Sequence, residues 1–148
     1  MNRKLTAIFL GLTLILSGCS FLEEANNTLS YANDAKDYVN KAIAFAEEVP
    51  AKAEKAMQDE QAVDELKQEL ETMKTEINEF SKLEAPRIAS DLHNKIVEKN
   101  EQLEGKIDEY LKHIENGTLD ETVLNHEELA KPIADIKNLV DQIKELGN

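Results

Sequence analysis

Residues 63–80 read VDELKQELETMKTEINEF. The apolar residues Val63, Leu66, Leu70, Met73, Ile77 and Phe80 are spaced three, four, three, four and three apart. That alternation is the a/d seam of one helix packed on others, and no part of the stretch follows the two-residue period of a strand. The seam lies within a segment of about 51–82 that is helical throughout by this pattern. Upstream, Ala35, Tyr38, Val39, Ala42, Ile43 and Ala46 mark one stripe of a helix over about 27–49, with Asn26 or Asn27 as its cap. Between the two stands Pro50, which lacks an N–H and disfavours helical geometry at Val49, so a break is expected there.

Downstream, Leu83-Glu84-Ala85-Pro86 reads as a turn, followed by a helix over about 87–115 carrying Ile88, Leu92, Ile96, Leu103, Ile107, Tyr110 and Ile114. Polar Lys99 and Asn100 occupy the rung between Ile96 and Leu103, which predicts a wetter or outward-facing layer. Asn116-Gly117 is a helix stop, since glycine takes the left-handed conformation readily. Asp120 or Asn125 opens a last helix with Leu129, Ile133, Ile136, Val140 and Ile143, ended by Gly147. Short connections make successive helices antiparallel neighbours. The expected fold is all-α: an antiparallel up-and-down bundle of three to four long helices over residues 27–148, with a break at Pro50. If Pro50 only kinks the chain, three helices remain and the first is bent.

Composition agrees. With 148 residues the chain makes one domain able to bury a core without staples. Aromatics at 5% and five glycines disfavour a sandwich or a Rossmann-like sheet. One cysteine excludes an internal disulfide and a Cys-based zinc site. A net charge of −13 argues against nucleic acid, which needs a basic face.

The amino terminus carries the most specific signal. Arg3 and Lys4 precede a 12-residue uncharged run, Leu5–Leu16, which is too short to span a bilayer but fits a signal-peptide h-region. The run ends in Leu16-Ser17-Gly18-Cys19, which matches the lipobox of bacterial lipoproteins at all four positions and holds the only cysteine. Residues 1–18 are therefore expected to be a cleaved lipoprotein signal peptide, and 19–26 a lipidated tether. Losing Arg3 and Lys4 would leave 15 bases against 30 acids, so acyl groups rather than a basic patch must hold the membrane.

Taken with Ser20-Phe21-Leu22-Glu23 after the box, Leu83-Glu84-Ala85-Pro86 with Ala89 and Leu92-His93, and Asn100-Glu101-Gln102-Leu103, the chain resembles small helical lipoproteins of Gram-positive bacteria. These have no assigned activity. The resemblance implies diacylglyceryl transfer to Cys19, cleavage between Gly18 and Cys19, and often N-acylation, giving a lipid-anchored protein on the outer face of the cell membrane. Two or three acyl chains anchor durably, whereas one would be marginal.

Catalytic parts are scarce. The residues three before His93, His113 and His126 are Ser90, Tyr110 and Val123, so no Glu-x-x-His di-iron motif exists. His126-Glu127 begins like a zincin, but Ala130 replaces the second histidine. His93 lies near the apolar stripe and is expected to pack or cap there. No serine stands in a Gly-x-Ser-x-Gly elbow, and Lys112 occupies the first position of the only calcium-like loop. The expectation is a non-enzyme with no cofactor or metal beyond the covalent diacylglyceryl and N-acyl groups at Cys19. Asp59, Glu60, Asp64, Glu65, Glu69 and Glu71 form the densest acidic face, answered locally only by Lys67. That face is a candidate dock for an envelope protein. The alternative is a lipoprotein that captures a metal ion or small solute between helices.

Overall fold

A computed structural model describes residues 18–120 and 126–146, with side chains over 26–120 and 127–146. It contains four α-helices: α1 (Gly18–Ala56), α2 (Glu60–Ser81), α3 (Ser90–Glu115) and α4 (His126–Leu146), with a 3-10 turn at Arg87–Ala89 before α3. Among the described residues there is no strand. The expected all-α bundle is what forms. α1 packs against α2 and α4, and α3 against α4 and α2, so α1 and α3 face each other across the diagonal.

The break lies elsewhere than expected. α1 runs through Pro50 to Ala56, and the chain turns at Met57–Asp59. Proline inside a helix costs about 3 kcal/mol by removing one hydrogen bond and crowding the preceding turn. Here Val49 and Ala53, on either side of Pro50, are fully buried, and Ala56 nearly so. Their burial on one continuous stripe offsets the local cost, and Lys52 bridges back to Glu48 across the same turn at 2.9 Å. The helix stops only where the stripe gives out, and Asp59 caps α2 by accepting the main-chain N–H of Gln61 at 3.0 Å. A second proline, Pro132, is likewise carried inside α4. At the other end α1 is already helical at Gly18, the first described residue, rather than starting near Asn27, so residues 19–26 belong to the helix.

The Asn116–Gly117 stop forms as expected. Gly117 has φ of 63°, its N–H donates to Ile114, and the Thr118 N–H donates to His113 at 2.9 Å, which closes the last carbonyls of α3. Asp120 is followed by residues outside the described set, and Asn125 lies there too, as do residues 1–17 with most of the expected signal peptide.

The core follows the seams with local exceptions. Leu66, Leu70, Met73, Ile77 and Phe80 are buried in α2, and all five expected residues of α4 are buried. In α1 the buried set extends to Tyr31, Ala32 and Phe45, while Ile43 and Ala46 are only partly covered. Ile88, expected inside, is 53% exposed, because the 3-10 turn rotates Ala89 inward instead.

Candidate functional site

The least expected feature lies on the bundle axis. Tyr31 and Tyr38, seven residues apart on α1, reach across the diagonal to His93 and Asn100, seven apart on α3. Tyr31 Oη lies 2.8 Å from His93 Nδ1, and the Tyr38 hydroxyl donates to Asn100 Oδ1. The common offset of 62 residues means that α1 and α3 run in the same direction. Phe80 of α2 closes the group, stacked on Tyr38 with centroids 4.4 Å apart and tilted against His93 at 5.3 Å. His93 thus packs, as expected. Asn100 does not face outward: it is 1% exposed, because Tyr38 supplies a hydroxyl where an aliphatic side chain would have left the amide unmatched. Lys99, beside it, stays at the surface and pairs with Asp135 at 3.0 Å.

Burial governs the titration of these groups. It raises the Tyr31 and Tyr38 hydroxyls well above their ordinary range, opposed at Tyr38 by the Asn100 hydrogen bond. Burial also lowers His93 from its ordinary 6.5, opposed by a main-chain hydrogen bond with Ser81. A neutral ring that accepts the Tyr31 hydroxyl at Nδ1 fits this buried setting. Among the described residues, two buried side-chain atoms have no hydrogen-bond partner: Asn100 Nδ2 and the Tyr110 hydroxyl.

These buried, mutually paired side chains order the interior across the α1–α3 diagonal. Among the described residues no three His, Cys, Asp or Glu side chains gather as metal ligands. The open spaces are surface clefts. Two of about 290 and 380 Å³ adjoin where α1 meets the end of α2 and the 83–86 turn, sharing Asp34 and Leu83. Tyr38 and Tyr31 contribute one wall of each, and Asp37, Glu76, Glu79 and Glu84 make the rims acidic.

The six acidic candidates do not remain one free face. Asp59 is the cap of α2. Glu69 pairs with Lys52 at 2.7 Å, Glu65 with Lys55 at 3.7 Å and Glu71 with Lys67 at 4.0 Å. Two of those lysines come from α1, which a local reading of α2 could not supply. Glu60 and Asp64 are exposed. Cross-helix pairs recur around the bundle: Lys41–Glu76 at 2.7 Å, Lys74–Asp108 at 2.5 Å, and Lys106–Glu128. Each exposed pair contributes little stability, but together they record the register.

Of the lipobox, Gly18 and Cys19 are the first two described residues of α1, and their side chains, like Leu16 and Ser17, lie outside the described ones. Within this axial group, Tyr31 and Asn100 were the residues the pattern missed. Their signal was the matched spacing of seven on both helices.

Fold and interior together define a four-helix up-and-down bundle with an ordered polar axis and acidic surface clefts. The chain belongs to a family of unknown function, DUF6376, matched over residues 31–146, the bundle without its leading segment. No curated protein and no solved structure matches it.

Proposed function

We propose that this protein is a lipid-anchored lipoprotein on the outer face of the cell membrane, and that its bundle is a non-catalytic interaction or structural module of the envelope. The observation that carries the reading is Leu16-Ser17-Gly18-Cys19, placed after a charged start and a 12-residue apolar run, with the chain's one cysteine in the modified position. Among the described residues no helix is long and apolar enough to cross a membrane, so attachment in this reading depends on the acyl chains. A filled axis and the lack of a gathered acid–base group favour binding or scaffolding over catalysis.

The test is metabolic labelling with palmitate, followed by intact mass. Wild type should carry label and acyl mass at Cys19, and Cys19→Ala should carry neither. Unlabelled wild-type protein, or equal label in Cys19→Ala, removes the reading. Capture of a metal ion or small solute between helices has less support, because Tyr31, Tyr38, Phe80, His93 and Asn100 fill that space. An ion-dependent rise in melting temperature would revive it.

A further inference from the structure

The cross-helix pairings fix which residues share a level along the bundle. Tyr31 lies level with His93, Lys41 with Glu76, Lys99 with Asp135 and Lys106 with Glu128. A plane just beyond Lys41 therefore cuts the bundle into two halves. The half nearer Gly18 comprises residues 18–41, 78–103 and 131–146, and holds twelve acids against nine bases. The far half comprises 42–77, 104–120 and 126–130, and holds seventeen acids against six bases. Of a net charge of −14 over these residues, −11 thus sits in the half away from Gly18.

Apolar exposure follows the opposite gradient. The large hydrophobic residues left exposed among the described ones are Leu29, Ile88 and Leu146, at 55%, 53% and 39%. All three belong to the end nearer Gly18. Ile88 and Leu146 sit level with about Asn26 on neighbouring helices, roughly 10 Å along α1 from Cys19 at 1.5 Å per residue. A headgroup layer is about 5–8 Å deep, so these side chains reach its outer surface.

We propose that the bundle stands end-on upon the bilayer that holds Cys19, with the less charged end bearing Leu29, Ile88 and Leu146 against the headgroups and the strongly acidic half held outward. The inference rests on the lipid-anchored reading and adds an orientation to it. Lying flat would press the far half's excess of carboxylates onto an anionic surface. Upright, that half lies roughly 20–45 Å farther out, beyond a Debye length of about 8–10 Å, where the surface potential no longer acts on it. The uninterrupted helix from Gly18 into the bundle favours a fixed stance over a loose leash.

The chain contains no tryptophan, so single reporters can be placed without background. Full-length I88W, L146W and Q58W are purified from membranes and reconstituted into phosphatidylcholine–phosphatidylglycerol vesicles with dansyl-labelled headgroups. Gln58 is exposed at the far end. Energy transfer from I88W and L146W should exceed that from Q58W several-fold. Intact mass of each sample reports acylation, and circular dichroism reports folding. Equal transfer from both ends in acylated, folded protein overturns the orientation alone. Absence of acyl mass overturns the anchored reading and the orientation with it.

Discussion

Replacing Tyr38 and Asn100 separately and together measures what the buried rung is worth. In the native rung one hydrogen bond is made, and Asn100 Nδ2 goes without a partner. Tyr38→Phe removes the hydrogen bond, about 1 kcal/mol net, and leaves Oδ1 unmatched as well, for about 1 kcal/mol or more besides. A loss of about 2–3 kcal/mol is expected. Asn100→Leu keeps the branched shape and removes the unmatched Nδ2, but it strands the Tyr38 hydroxyl, so the two effects nearly cancel. The double variant strands nothing, and its stability should equal or exceed wild type by up to about 1 kcal/mol. The coupling between the two positions is then about 2–4 kcal/mol. Urea unfolding followed by far-UV circular dichroism supplies the four free energies, and an unchanged m-value shows that the same surface is exposed in each variant. Single effects that add to the double within about 0.5 kcal/mol would refute the reasoning, because independent sites do that and a shared buried rung does not.

His93 should make stability pH-dependent. Its folded pKa lies below the ordinary 6.5 through burial, so below that pH the unfolded chain binds the extra proton. Stability is then full above pH 6.5 and falls as pH drops through it, and His93→Gln should flatten that part of a pH–stability curve; an unchanged slope counts against a buried neutral ring. Pro50→Ala restores a hydrogen bond inside α1 and should raise stability by about 1–3 kcal/mol in thermal unfolding, where a loss would show that the proline fits its site better than a regular turn. Gly117→Ala meets no atom within 4 Å, so its cost is conformational only, about 1 kcal/mol at φ of 63°. Gly117→Asn should lose less than Gly117→Ala in the same unfolding experiment, since asparagine tolerates that region.

The 3-4 seams of α2 and α4 were readable because each buries aliphatic side chains on one stripe, and the Gly117 stop because only local chemistry decides it. Pro50 misled because its cost is local, whereas the burial of Val49, Ala53 and Ala56 that offsets it comes from other helices. Asn100 misled for the same reason: an amide within a seam reads as wet until Tyr38, 62 residues away, is brought to it. The acidic face of α2 looked unanswered because Lys52 and Lys55 precede it on α1. Ionic partners across helices leave no periodic trace in one segment. The Cys19 signal, by contrast, is linear and needs no folding to be read.

The two rungs also act as a combination. Slide α1 by one heptad along α3 and Tyr38 meets His93, but Phe45 then faces Asn100 and the amide has no match. Slide it the other way and Tyr31 meets Asn100, while the Tyr38 hydroxyl lands opposite Ile107. Each misfit strands a polar group at a cost of about 1–3 kcal/mol, in a bundle whose aliphatic layers alone would forgive either slip. Uniqueness here comes from two polar rungs set one heptad apart on both helices, since only the native register meets both and either slip leaves one tyrosine facing an apolar residue.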